Sequence, residues 1–214
     1  RLMAGSLGIL GVICEVSLKV LPMAPATTTL VFDCDEAHAL KQLAAWAGQP
    51  LPLTASAWHE GRMHLRLAGA DAAVRAAAAW LGGGALAPEA AIAWWGSLRD
   101  QRHAFFAIAE SDLARGQCLW RLSMPATAAP IALPGERFIE WGGAQRWWRT
   151  DAPARELRAA AAQAGGHATL FRGADKSAGV FAPLSTPLLR IHRGLKHAFD
   201  PDGVFNPGRL YADL

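Results

Sequence analysis

Four side chains in the second half of this chain carry the clearest potential for chemistry: the guanidinium groups of Arg121, Arg146 and Arg172 and the imidazole of His167. A guanidinium presents a planar fork of donors that matches the two oxygens of a small carboxylate. An imidazole changes charge near neutral pH, so it can hold or pass a proton. All four fall in segments that read as strands, where an arginine is ordinarily one half of a weak cross-strand ion pair. His167 follows Gly165-Gly166 and heads its strand, and Arg172 closes it. One imidazole is not a metal site, which needs three or four ligands. Trp141, Trp147 and Trp148 offer aromatic surface that suits a ligand wall, a subunit interface or a core.

The two ends of the chain are written with unusual specificity. Near the start, Gly5, Gly8 and Gly11 form a comb at intervals of three, followed by Val12 to Val20, where apolar residues alternate with Glu15, Ser17 and Lys19. That alternation predicts a half-buried strand over 12–20. Glycines leading into a strand let bare amides approach a phosphate or an extended ligand, although the spacing is not the dinucleotide fingerprint. At the other end, the sole Asn of the sequence, Asn206, stands before Pro207-Gly208. Pro201 and Pro207 fix φ and bias the residues before them toward extended geometry.

Gly5-Ser6-Leu7-Gly8-Ile9-Leu10-Gly11-Val12-Ile13-Cys14-Glu15 resembles the closing segment of the FAD-binding domain in the vanillyl-alcohol-oxidase/D-lactate-dehydrogenase superfamily. Members usually carry Thr at the place of Cys14. Asp200-Pro201-Asp202-Gly203-Val204-Phe205-Asn206-Pro207-Gly208-Arg209 resembles the C-terminal signature of the same superfamily. The stretches 119–125, 140–148 and 165–173 are similar to the FAD-binding, E-type subunit of the bacterial glycolate oxidase (glycolate dehydrogenase) complex. The resemblance implies an α+β fold: a ferredoxin-like antiparallel-sheet cap domain, with the last strand of an FAD-binding domain at the N-terminus. A C-terminal helix and tail would return to that domain. The corresponding segments are 1–24, 25–184 and 185–214, with the remainder of the flavin domain expected upstream of this C-terminal fragment. It further implies FAD as cofactor, held by Gly5, Ser6, Gly8, Gly11, Val12, Ile13, Asn206 and Arg209, and a small 2-hydroxy acid as substrate. Glycolate would be oxidised to glyoxylate by hydride transfer to the flavin, with His167 and Arg172 as the catalytic candidates. Related dehydrogenases carry a further histidine and an acidic residue beside the position of His167, and a Lys at that of Arg209; this chain has neither. The substrate chemistry would then belong to a sister flavin subunit, and this chain would relay electrons or serve assembly. An iron-sulfur subunit is the other implied partner.

Composition sets the remaining bounds. Hydrophobic residues make up 52% and charged residues 18% of the 214 positions, enough for a substantial core and too apolar for disorder. The net charge is only +3 and no long basic run occurs, which argues against a nucleic-acid partner. No apolar run is long enough to span a bilayer. Cys14, Cys34 and Cys118 are odd in number and widely spaced, so they suit neither a disulfide framework nor a zinc site; Cys14 and Cys118, in strand-like alternation, are expected as buried free thiols of a cytoplasmic protein, associated at most peripherally with a membrane through partner subunits.

The elements that must position these residues follow from period and punctuation. A strand is expected at 27–32, then a helix at 36–47 capped by Asp33 or Asp35 with Ala37, Leu40, Leu43, Ala44 and Ala47 inward. A hairpin turns at Glu60-Gly61. A helix capped by Asp71 ends at Gly82-Gly83-Gly84, completing a β-α-β-β-α half. A helix near 89–103 precedes strands at 117–124, 132–133, 137–141 and 144–150, with the residues at 119, 122 and 124, Trp141 and Trp147 inward. A helix at 152–164, a strand at 167–172 and a last helix from Ser185 or Thr186 to Phe199 follow. The last helix has an apolar seam of Leu188, Ile191, Leu195 and Phe199, and a basic strip of Arg190, Arg193, Lys196 and His197. That strip reads as a solvated face or a docking surface.

Overall fold

A computed structural model describes residues 2–214, which divide into two compact units: 22–176, and the residues up to Leu21 together with Ser177–Leu214. The larger unit is built on one antiparallel sheet. Its first strand, β1 (Ala26–Asp33), is a run of threonines and bulky apolar residues suited to a pleated surface. Asp35 then caps α1 (Glu36–Ala47), its carboxylate accepting from the His38 amide at 2.8 Å. β2 (Leu53–His59) and β3 (Arg62–Gly69) are joined by Glu60 and Gly61, both at positive φ (45° and 77°), as a two-residue hairpin requires. α2 (Asp71–Leu81) has Ala70, not Asp71, at its N-cap position, and Asp71 lies in its first turn. β4 (Gly84–Ala85), α3 (Pro88–Arg99), a 3-10 turn at Ala104–Phe106 and α4 (Glu110–Ala114) lead to β5 (Cys118–Ser123). β6 (Glu136–Glu140), β7 (Gln145–Thr150), α5 (Ala154–Gln163) and β8 (His167–Arg172) complete the unit.

The strand order is β4-β1-β3-β2-β6-β7-β5-β8. Counted inward from each edge, the two halves have the same order, β4-β1-β3-β2 and β8-β5-β7-β6. The sheet is therefore two ferredoxin-like halves joined edge to edge through β2 and β6. The first half carries helices after its first and third strands. The second keeps only α5, and the stretch 124–135 has no helix where α1 has its counterpart.

One face of the sheet is covered by α1, α2 and α5. Ala39, Leu40, Leu43 and Trp46 of α1 pack on Trp58, Met63, Leu65 and Ile139, and Leu157 and Ala161 of α5 pack on Trp120, Leu122 and Trp148. The α1 face is rotated from the expected one: Trp46 buries far more apolar area than Ala37, Ala44 or Ala47 can, and the helix turns to seat it. The opposite face is covered in part, by Leu98 of α3 and by Phe105 and Phe106 on Ala57, Leu119, Phe138 and Trp147.

Several expectations are corrected. Residues 12–20 form no strand and pair with nothing among the described residues; Val12, Val16, Leu18 and Val20 are exposed, because alternation specifies a face to bury but not a neighbour to pair with. Cys14, in that segment, is exposed rather than buried, and all three thiols are free. No strand forms at 132–133, and Trp141 lies past the end of β6 at φ 53°, 71% exposed, instead of pointing inward.

Arg146 holds neither a carboxylate nor a cross-strand partner. Its side chain is fully buried on the helix-covered face, donating to the carbonyls of Gly143 (3.1 Å) and Ala129 (2.7 Å) and to that of Ala128. Burial draws its pKa down from the usual arginine value. It ties down the helix-free stretch of the second half. Arg146→Met should therefore strand buried carbonyls and lower unfolding stability by on the order of 3 kcal/mol, measured by urea denaturation.

On the other face, the buried His64 ring stacks on Trp94 with centroids 4.0 Å apart. Burial, reinforced by Arg62 and His103, pushes its pKa down to about 4. A neutral imidazole is thus favoured by folding. Its contribution is complete above about pH 6.5 and is lost as pH falls toward 4, where the folded form also protonates. His64→Phe, which keeps the stack, should show a smaller drop in melting temperature between pH 7.5 and pH 5 than the parent protein.

Candidate functional site

In the smaller unit the two ends of the chain meet. Asn206 Nδ2 donates to the Leu7 carbonyl at 2.9 Å, and a Cβ on Gly8 would stand 2.7 Å from that nitrogen. Gly8 is at φ 78°, so both its conformation and the close approach of Asn206 require glycine. Deeper in, α6 (Thr186–Phe199) turns Lys196 inward. Its ammonium donates to Ile9 O (2.9 Å), Phe205 O (2.6 Å) and Asp200 Oδ2 (2.5 Å). Asp200 in turn accepts from the amides of Val204 (2.9 Å) and Phe205 (2.8 Å). Burial works against this carboxylate, but Lys196 and the two amides outweigh it and hold its pKa at about 2. Lys196 therefore does not belong to a solvated basic strip, whereas Arg190, Arg193 and His197 are exposed as expected. The expected seam is not a buried one: Leu188, Ile191 and Phe199 are each about half exposed.

Leu7, Asn206, Pro207, Gly208 and Arg209 line an open hollow of about 560 Å³. Added Cβ atoms on Gly5 or Gly11 would meet nothing within 4 Å, so backbone is exposed there without crowding. Ser6 is half-buried, and Val12 and Ile13 are exposed. The Arg209 side chain has no hydrogen-bond or ion-pair partner among the described residues. An exposed cation, a side-chain amide and open backbone are a donor set that fits the phosphates or pyrimidine carbonyls of a flavin nucleotide.

The larger unit places the other candidates on the partly covered face of its sheet. Glu140 pairs with Gln145, Gln145 with Ser123, and Ser123 with His167, so a polar row crosses β6, β7, β5 and β8. Residues directly opposite in such a ladder share a face and stand about 4.5–5.5 Å apart. In the next row Arg121 faces both Trp147 and Thr169, which makes it a diagonal neighbour of His167 at about 7–8 Å. Glu140 accepts from Gln145 Nε2 (3.0 Å) and Trp147 Nε1 (2.5 Å). Arg121 is half-buried and has no hydrogen-bond or ion-pair partner among the described residues.

Arg172 lies at the far end of β8 from His167, five residues or about 16 Å along the strand, and donates to the Phe106 carbonyl at 2.8 Å. Trp147 and Trp148 are buried, the latter donating to Pro134 O at 3.2 Å. Glu140, Gln145 and Ser123 were not singled out in the sequence. Their only signal is the shared parity of their strands, which registers with one another only once the order of the sheet is known.

The larger unit is an antiparallel ferredoxin-like α+β sheet of the kind found in cap domains, and the smaller unit gathers both chain ends around a glycine comb. The chain is 43% identical, over all 214 of its residues, to the glycolate oxidase subunit GlcE of Escherichia coli (strain K12). It spans 57% of that relative's length. The resemblance read from separated motifs therefore extends from one end of the chain to the other, as similarity to a glycolate oxidase subunit. No protein-family model matches the chain and no solved structure does. Among the described residues no helix is long and apolar enough to cross a membrane.

The junction of the two ends can be tested directly. Lys196→Met removes the donor shared by Ile9 O, Phe205 O and Asp200 Oδ2 and leaves Asp200 without its cation. Hydrogen exchange of the amides at 6–10 and 203–208 should speed up at least tenfold. Arg193→Met, which removes an exposed pair with Asp213, should leave these rates nearly unchanged.

Proposed function

We propose that the chain is part of the FAD-binding subunit of a glycolate oxidase or dehydrogenase complex, which oxidises a small 2-hydroxy acid. The observation that carries this is the end-to-end similarity to GlcE, supported by the meeting of the glycine comb with the Asn206 tail. In this reading the hollow beside Leu7 and Arg209 takes part of an FAD, with Gly5, Ser6, Gly8, Gly11, Val12 and Ile13 offering backbone. Asn206 lends its side-chain oxygen and Arg209 its charge. When bound, FAD supplies the two-electron acceptor. Val12–Val20 complete the sheet of the flavin-binding domain, which accounts for their alternation.

The residues of the sheet face have separate tasks. Arg121, a fork without a partner, takes the substrate carboxylate. His167, its diagonal neighbour, sits where a hydroxyl beside that carboxylate places its proton, and holds or accepts it. Gln145 and Ser123 complete the polar row, and Glu140 fixes Gln145. Arg172 is a positioning residue in this scheme, since its guanidinium holds the turn at Phe106. Electrons pass on to a sister flavin subunit or an iron-sulfur subunit.

Arg121→Gln in the intact complex should raise KM for glycolate at least tenfold with a smaller change in kcat, as expected for loss of a charge-assisted contact. His167→Gln should lower kcat and flatten its pH profile. If glycolate reduces the flavin equally well in both variants, substrate oxidation belongs to the sister subunit and this chain relays electrons or serves assembly.

A further inference from the structure

His59, Glu60 and Glu136 lie away from the polar row, at the seam where the two halves of the sheet join. His59 ends β2, Glu60 opens the hairpin turn, and Glu136 begins β6. The His59 side chain is only 9% exposed. Its ring stacks on Phe138 at 4.9 Å and meets the edges of Phe105 and His103 at 5.3 and 5.4 Å, so it cannot turn away. Its Nδ1 lies 3.1 Å from the Arg137 carbonyl. Only a protonated Nδ1 makes that contact favourable, which leaves the lone pair of the neutral ring on Nε2.

That nitrogen is aimed at two carboxylates. Glu136 Oε1 is 3.5 Å from it and Glu60 Oε2 is 3.9 Å, both beyond the usual range of an N–H···O bond. Yet all three donor atoms lie within 4.8 Å of one another. Two ligands bound about 2.0–2.1 Å from a zinc ion at a tetrahedral angle stand about 3.3 Å apart. The His59–Glu136 spacing is too long for a good hydrogen bond and close to that of ligands sharing one ion, while the exposed Glu60 side chain has to close in by several tenths of an ångström. The supporting contacts are also those of a metal site: a ligating imidazole usually donates its other nitrogen to a carbonyl, and a ligating carboxylate is itself hydrogen-bonded. Here Arg149 holds the second oxygen of Glu136. Glu60 is 77% exposed, which leaves a path for entry.

We propose that His59 Nε2, Glu60 and Glu136 bind a divalent first-row transition-metal ion, zinc in the first instance, with the fourth position open to water. Such an ion would staple the two halves of the sheet where their ladder is shortest, through Ala57 with Glu140 and Trp58 with Ile139. It joins the adjacent His59 and Glu60 to Glu136 at the start of β6, which no spacing motif in the sequence brings together.

The test is calorimetric titration of EDTA-treated protein with Zn²⁺, repeated with Mn²⁺. One equivalent of Zn²⁺ should bind and raise the melting temperature. Glu60→Gln, an exposed turn substitution that leaves the core intact, should weaken binding at least tenfold, and so should Glu136→Gln. His59→Gln should abolish it. Preference for Mn²⁺ over Zn²⁺ would overturn the choice of zinc. Absence of a stoichiometric event would overturn the site, as would an affinity unchanged by Glu60→Gln and Glu136→Gln; the cluster would then be an imidazole packed beside two carboxylates.

Discussion

The ammonium of Lys196 is the constraint on which the smaller unit depends. A buried cation is tolerated only when its charge is matched and its donors are used. Lys196 has three donors and meets three acceptors: one from the start of the chain, one from the tail and the carboxylate of Asp200. Asp200 is fixed by amides four and five residues further on, so the turn through Pro201 and Gly203 is shaped around the anion. The tail signature thus has a physical meaning independent of any ligand. It builds a carboxylate cage for one lysine, and the lysine holds the Ile9 segment. Only with that done can Asn206 reach Leu7 over the bare backbone of Gly8.

In the larger unit the corresponding constraint is the order of the strands. Once β2 pairs with β6, two similar halves share a sheet, but they are covered unequally. The first half has α1 and α2 on one face and α3 on the other. The second has α5 alone, and the buried fork of Arg146 holds the stretch that replaces a helix by bonding its carbonyls. Two of the three arginines that the sequence offers for a carboxylate therefore have unrelated fates. Arg146 points to the helix-covered face and is saturated. Arg121 points to the other face and is not.

Much of this was legible in the sequence because it depends on local rules. The hairpin at Glu60-Gly61, the strand from His167 to Arg172 and the helix from Glu36 to Ala47 follow from turn chemistry, alternation and capping. The failures are all matters of neighbours. Val12–Val20 alternate correctly yet have nothing to pair with, and Lys196 looks solvated until three acceptors close on it. Leu188 and Ile191 keep helical spacing but no cover. Nor does the sequence show that the unit is duplicated: the halves share a strand order and not their loops or helices. The candidate site is hidden for the same reason, since Glu140, Gln145, Ser123 and His167 come from four strands and align only through the register between them.

Unequal cover also explains why chemistry collects at one end of one face. Beneath α1 and α5 the sheet is packed with Trp120, Trp148, Met63 and their neighbours, and a ligand there would have to displace core. On the other face, Trp94 and Leu98 roof the first half, and Phe105 and Phe106 reach as far as Leu119 and Trp147. They stop one row short of Ser123. The row left outside that roof is polar, and a polar row on a rigid sheet keeps its spacing without help from loops. Arg121 occupies the boundary, opposite Trp147 and one row from Ser123, and is half-buried. A guanidinium so placed is partly withdrawn from water yet unpaired, and small anions bind most strongly to a cation in that condition. The duplication thus supplies both parts of the arrangement: one half carries the cover, and the other, missing it, carries the polar row of the proposed site.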